Sequence, residues 1–129
     1  MMRRVAMGSA AAACVLALGA PAWAKVETVK GVLVDQACYK ADKSNTGERH
    51  IMKNGPMDNC ATACAKLGQP VALLTSDGKL YEVAGDLAAN KNEKLVPHMT
   101  HTVELTGDVT AGKDGAMKIA ATSLKMISK

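Results

Sequence analysis

Aromatic residues are nearly missing from this chain of 129 residues, which has no phenylalanine, one tryptophan and two tyrosines. Large aromatic side chains usually supply much of the buried apolar area in a small domain. Their scarcity predicts a core of Val, Leu, Ile, Met and Ala. Trp23 lies in the leader predicted below, so Tyr39 and Tyr81 are the aromatic residues expected in the mature protein.

The chain also lacks the features of a nucleic-acid-binding or membrane-spanning protein. Its formal net charge of +4 is spread out, and no Lys/Arg cluster is interleaved with aromatic residues. This pattern argues against a nucleic-acid partner. After the N-terminal leader, no apolar segment is long enough to span a bilayer, so the sequence predicts no membrane span.

Motifs for catalysis are absent as well. The sequence has no glycine elbow with a Ser-His-Asp set and no phosphate-binding loop. It has neither the C-x2-C motif of thioredoxin-like oxidoreductases nor the C-x2-C-H motif for covalent haem. We therefore expect a protein that is not an enzyme.

The first 24 residues have the three parts of a secretory signal peptide. Arg3 and Arg4 form a basic start, an apolar stretch follows from Val5 to Ala20, and Ala22-Trp23-Ala24 is a small-x-small cleavage site. We expect cleavage after Ala24 and export to the periplasm or beyond. Residues 25–129 then form a single domain, within the usual size range of about 50–250 residues.

Alternation of apolar and polar residues predicts about five short strands. The first leads into Asp35 and Cys38, and the second and third form a hairpin around Ser76-Asp77-Gly78. In the fifth strand the apolar phase slips near Thr122, which predicts a bulge. The predicted strands are Val26 to Val34, Val71 to Thr75, Lys79 to Val83, Thr100 to Thr110 and Ala116 to Ile127.

Helical signals are short and few. Asp58 or Asn59 can cap a helix that ends at Gly68, and Asp86 to Val96 predicts one or two further turns. Without long helices between the strands a parallel sheet is not expected. We predict a mainly β fold, a small antiparallel OB-like barrel of about five strands, with a cysteine-bearing helix after strand one. Lys40 to Met57 is predicted to be a long polar loop.

These motifs resemble those of a widespread group of small exported bacterial proteins with no assigned function. Members carry G-x-[VI]-x-D-x-x-C, a histidine, C-x3-C-x3-G, a hairpin with DGK-x-Y, and V-x-[VL]-x-G. Similar elements run here from Gly31 through nearly the whole mature chain, with Leu33 at the Val or Ile position of the first motif. The resemblance implies an OB-like barrel, and it implies that Cys38, His50, Cys60 and Cys64 belong to one constellation.

The number of cysteines is the main chemical clue. Cys14 leaves with the leader, so the mature chain keeps Cys38, Cys60 and Cys64. Cys60 and Cys64 are four residues apart on one helix face, with β-carbons about 5–6 Å apart. A disulfide requires about 3.8 Å, so an intact helix disfavours a bond between them.

Two uses of the three thiols remain open. Cys38 can form a disulfide with Cys60 or Cys64, which makes a stapled binding or interaction module without metal and with one free thiol. Alternatively, Cys38, His50, Cys60 and Cys64 form a four-ligand site for structural zinc or carried copper. The metal site is our leading hypothesis.

Other residues carry weaker hypotheses. Further candidate soft or borderline metal ligands are Met52, Met57, His98, Met99 and His101. The simpler interpretation places the histidines at the surface and Met99 in the core. A thiol-redox protein is a third hypothesis, and it needs a depressed pKa at Cys60 near the helix start. Asp35 is expected to form a turn at the end of strand one.

Overall fold

The computed structural model describes residues 25–47, 59–112 and 116–129. The predicted signal peptide and three predicted site residues, His50, Met52 and Met57, lie outside the described residues.

The described residues form a β domain with short helices. The strands are β1 (Lys25–Asp35), β2 (Val71–Leu74), β3 (Leu80–Ala84), β4 (Thr102–Ala111) and β5 (Met117–Ser128). Two helices, α1 (Gln36–Ala41) and α2 (Cys60–Lys66), lie between β1 and β2. The link from β3 to β4 contains the 3-10 turns Asp86–Ala88 and Val96–His98 around the helical segment Ala89–Asn92.

The strands close into a barrel in the order β1-β2-β3-β5-β4, with β4 pairing back to β1. All pairs are antiparallel except β3 with β5. The long strand β1 serves both neighbours, because Lys25 to Val32 pair with β4 and Val32 to Asp35 pair with β2. The predicted OB-like barrel with its cysteine helix after strand one is confirmed.

Two local predictions about the strands are confirmed. β2 and β3 form the expected hairpin, in which Gly78 has a φ of +85° and open space around its α-carbon. In β5, Ser123 pairs with Thr106 and Ala121 with Gly107, so Thr122 is the extra residue of a bulge. Gly107 is needed there because a β-carbon would collide with the Ala120 carbonyl.

The core is aliphatic, as the composition predicts. Leu33, Leu73, Leu105 and Ile119 are completely buried, and Tyr81, exposed by 8%, is the one aromatic residue among the described residues of the core cluster. Each buried aliphatic side chain contributes about 1.5–3 kcal/mol to folding. Part of the core comes from the link between β3 and β4, through Leu87, Leu95 and Met99.

The end of β1 agrees with the prediction, but the helix that follows it was not predicted. Asp35 ends the strand as expected, and the next residues form α1, which carries Cys38. Asp35 is the N-cap, and its Oδ1 accepts a hydrogen bond from the Cys38 N–H at 2.8 Å. This cap satisfies a backbone donor that a strand would need to pair elsewhere, so the chain turns into a helix. The predicted polar loop from Lys40 therefore begins inside that helix.

Candidate metal centre

The pairing of β1 with β2 brings the two cysteine-bearing helices together. Asp35 is the last residue of β1 and lies opposite Val71, the first residue of β2. The Gln36 N–H also donates to the Pro70 carbonyl at 3.0 Å. The two ends of the connection 36–70 are thus held together. Helix α1 begins at this point, and α2 ends a few residues before it.

Helix α2 has a defined beginning and end. Asn59 is the N-cap, and its side chain accepts from the Thr62 N–H at 2.9 Å. At the other end Gly68 has a φ of +84°, and its N–H and that of Gln69 donate to the carbonyls of Ala65 and Cys64. This is a Schellman motif. The predicted stop at Gly68 is confirmed, and the motif holds the backbone of Cys64 in place.

Asn92 holds the same end of α2 from outside the helix. Its side chain is buried, and Nδ2 donates to the carbonyls of Ala65 at 3.1 Å and Gln69 at 2.8 Å. Asn92 has a φ of +59°, in the left-handed region that asparagine tolerates better than most residues. Sequence reasoning did not single out this residue. The asparagines at 90 and 92 in a polar link were the available signal.

The three cysteines converge in the space between α1 and α2. Their sulfur atoms all lie within 4.8 Å of one another. Cys60 is buried, whereas Cys38 and Cys64 are half-buried. All three thiols are free, so the disulfide from Cys38 that the alternative hypothesis requires is not present in this structure.

This sulfur geometry suits a metal ion. A tetrahedral zinc ion bound by thiolates at about 2.3 Å places its sulfur ligands about 3.8 Å apart. The three sulfurs are within about 1 Å of that spacing, a difference that small side-chain rotations can close. The structure therefore brings together three of the four predicted ligands in an arrangement that can hold a metal, while His50 lies outside the described residues.

Asp35 dominates the electrostatics of Cys38. Only 4% of Asp35 is exposed, and its carboxylate contacts both the backbone N–H and the thiol of Cys38. That thiol hydrogen bond, followed by burial and the charge of Asp35, raises the pKa of Cys38 to about 11. Asp35 was expected only as a turn former, and the structure adds this contact with the thiol.

The other two thiols are also harder to ionise than a free cysteine. Burial is the main cause that raises the pKa of Cys60, followed by the charge of Cys64. Burial and then the charge of Asp35 raise the pKa of Cys64. The depressed pKa that the thiol-redox hypothesis needs at Cys60 is therefore wrong, because burial outweighs any benefit of its place at the helix start.

Gly47 brings the chain back to α2 shortly before the second cysteine. It has a φ of +85°, and a β-carbon at this position would overlap with the methyl group of Ala61. Ala61 is completely buried and follows Cys60 directly. The loop after α1 thus packs on the helix next to the thiol cluster, a contact that the sequence pattern did not predict.

The remaining predicted ligands lie apart from the cysteine group. Met99 is 2% exposed and belongs to the core cluster, as the simpler interpretation held. His98 and His101 are half-buried, so their predicted surface position is only partly correct. Among the described residues, neither histidine is a member of the group of mutually close ligand atoms, which contains only the three cysteines.

The fold and the cluster define the class of protein: a small OB-like barrel with a three-cysteine cluster between two short helices inserted after its first strand. Comparisons with protein-family models, with curated proteins and with solved structures gave no match. In residues 25–47, 59–112 and 116–129 there is no helix with the length and apolar character that a membrane span needs.

Proposed function

We propose that this is a non-enzymatic periplasmic protein that binds a soft transition metal, structural zinc or carried copper, through Cys38, His50, Cys60 and Cys64. The convergence of three free thiols carries the proposal. Soft thiolate ligands favour zinc and Cu(I) over hard cations. Export rests on the sequence of residues 1–24, and the resemblance to the exported bacterial group remains a prediction.

The backbone around the thiols supports a built site rather than a chance contact. Asp35 caps the helix that carries Cys38, while Asn59 and the Schellman motif at Gly68 fix the helix that carries Cys60 and Cys64. Ligands held by such backbone contacts lose little conformational freedom when a metal binds. The burial of Cys60 also reduces competition from water.

The position of Gly47 supports His50 as the fourth ligand. Gly47 packs against Ala61, beside Cys60. Three residues of chain span at most about 11 Å, so covalent geometry alone limits the distance between the α-carbons of Gly47 and His50 to that value. An imidazole added to three thiolates completes a Cys3His set, which is a known closed zinc site.

Native mass spectrometry of the mature protein, purified without reductant or chelator, tests the proposal directly. We expect a mass raised by one metal ion, whose value identifies zinc or copper, and three free thiols after unfolding. A mass lower by two hydrogens and no metal would establish the disulfide-stapled module instead. The same preparation tests the export prediction. The protein should be recovered from the periplasm, and its mass should show that the leader has been cleaved after Ala24.

Two variants on one helix sharpen this test. Cys64→Ser removes a half-buried ligand, so the protein should lose its metal and melt at a lower temperature. Ala63→Ser adds a hydroxyl one residue away, also at a half-buried position, and keeps all three thiols. It should retain the metal. Equal metal content in the two variants would contradict the proposal.

A further inference from the structure

His98 and His101 are joined by a turn of unusual backbone conformation. The His101 N–H donates to the His98 carbonyl at 3.1 Å, Met99 has φ −59° and ψ 138°, and Thr100 has a φ of +66°. These values match a type II turn, whose third residue is normally glycine or asparagine. A β-branched residue in the left-handed region is a rare outlier.

The surrounding structure holds this turn on several sides. The Thr100 N–H donates to the Leu33 carbonyl at 2.8 Å, and the Leu33 N–H donates to the His101 carbonyl at 3.3 Å. Asn59 donates from Nδ2 to the Thr100 hydroxyl at 3.3 Å, and Met99 is anchored in the core. Strain of this kind is kept where the neighbouring structure over-determines it, and it often marks functional sites.

Both imidazoles have an unused nitrogen. The Nδ1 atoms of His98 and His101 are shielded from solvent and make no hydrogen bond. The α-carbons of the first and fourth residues of a turn lie within about 7 Å, so the two imidazoles are attached at neighbouring backbone positions. Two buried nitrogen donors without partners are costly for folding unless something else satisfies them.

The surroundings of His101 favour its neutral form. Burial is the main cause that lowers the pKa of His101, followed by the positive charge of Lys129 and that of His98. Neutral imidazole is the form that binds metals. The contribution of His98 to the lowered pKa of His101 also indicates that the two side chains lie near each other.

The geometry points to a second metal site, in which His98 and His101 bind a borderline divalent transition-metal ion through Nδ1. Imidazole suits zinc, copper and nickel, and the Irving–Williams order places Cu2+ as the tightest. This site is separate from the thiol cluster and contains no sulfur ligand. It does not depend on the proposed function.

Zinc titration of the wild-type chain, followed by the 15N resonances of the histidine rings, tests the site without disturbing the thiols. The Nδ1 resonances of His98 and His101 should shift together as zinc is added. This shift is expected whether or not the cysteines also bind zinc, and the accessibility of the thiols to alkylation reports zinc binding at the cysteines separately. Nδ1 resonances that stay in place at saturating zinc would overturn the inference. Loss of metal at the cysteines alone would refute only the proposed function.

Copper binding by a Cys38→Ser/Cys60→Ser/Cys64→Ser variant provides a second measurement. Without thiols that reduce Cu2+, its electron paramagnetic resonance spectrum should show two coordinated nitrogens. His98→Gln or His101→Gln should weaken binding by about tenfold or more, the scale by which outer partners alone alter metal affinity. The matched control is Lys94→Gln, at an exposed position of the same link between β3 and β4, which should leave this affinity unchanged. Equal affinities in all three glutamine variants would contradict the site.

Discussion

The contact between Asp35 and the Cys38 thiol allows a quantitative prediction. Asp35→Asn removes the negative charge but keeps a side-chain oxygen that can accept the Cys38 N–H, and asparagine is as good an N-cap as aspartate. Helix α1 should therefore remain intact. The change isolates the electrostatic effect of the carboxylate on the thiol.

The size of the effect follows from the causes that act on Cys38. Its pKa is raised from 9.0 to about 11, which lowers the thiolate fraction at neutral pH by about a hundredfold. Two of the three largest causes, the hydrogen bond and the charge, belong to Asp35. If they account for half of the rise or more, Asp35→Asn lowers the midpoint by at least about one pH unit and raises the thiolate fraction about tenfold.

The assay is a pH titration of thiolate absorbance in the metal-free protein. Cys60→Ser and Cys64→Ser, introduced together, leave Cys38 as the thiol that is observed. The effects of Cys60 on the Cys38 pKa are the smallest of its causes, and Cys64 is not one of them. Asp42→Asn is the matched control, because Asp42 is the C-cap of the same helix and does not contribute to the Cys38 pKa. A Cys38 midpoint that is the same in both asparagine variants would refute the reasoning.

The same contact sets a pH dependence of stability. Because folding raises the pKa of Cys38, the folded state holds the thiol proton more tightly than the unfolded state. This contribution to the free energy of unfolding is fully present below pH 9.0 and is lost as the pH rises through about 11. In Asp35→Asn the decline should be shallower, and urea unfolding between these pH values measures it.

The remaining predictions concern metal binding and the packing around it. Because the pKa of each thiol is raised, metal binding should release up to three protons. The apparent metal affinity should then rise by up to about a thousandfold per pH unit. Competition with a chelator at several pH values measures the slope of log affinity against pH, and a slope of one or less would contradict a three-thiolate site. Asn92→Ala should lower the free energy of unfolding by about 2–4 kcal/mol, since two hydrogen bonds to the end of α2, one buried and one partly buried, are lost together with the packing of a buried side chain. The exposed Asn90→Ala, also at positive φ, should cost only about 1–2 kcal/mol, and urea unfolding that gives equal losses would argue against the buried contacts. Gly47→Ala should lower the free energy of unfolding by about 1–3 kcal/mol more than Gly78→Ala. Both glycines have a φ of +85°, but only at Gly47 would the new β-carbon collide with a neighbour, Ala61. Thermal denaturation compares the two variants, and equal losses would contradict the role of Gly47 in positioning the loop.

Local patterns predicted much of the barrel because strands and turns leave short-range signals. The hairpin around Gly78 and the bulge at Thr122 follow from turn chemistry and from the two-residue period of a strand. The end of β1 near Asp35 was predicted, but helix α1 after it was not. The signal for that helix is a single side chain, Asp35, whose capping bond depends on the conformation of the residues after it.

Part of the candidate metal site could also be predicted from the sequence. The four-residue spacing of Cys60 and Cys64 places both thiols on one helix face, and the odd number of thiols indicated a third partner. The approach of Cys38, 22 residues earlier in the chain, was only a hypothesis. The raised pKa values of Cys60 and Cys64 depend mainly on burial, and the contacts of Asn92 depend on distant carbonyls, which no local pattern encodes.

By itself, the sequence determined the aliphatic core, the strand periodicity, the positions of the turns and the placement of Cys60 and Cys64 on one helix face. All of these depend on neighbours within a few residues. Only the tertiary structure decided that the three thiols meet, because the register that places Asp35 opposite Val71 closes the connection 36–70 and sets α1 beside α2. The tertiary structure also decided the strained turn between His98 and His101, since contacts with Leu33 and Asn59 hold a conformation that threonine would not adopt alone.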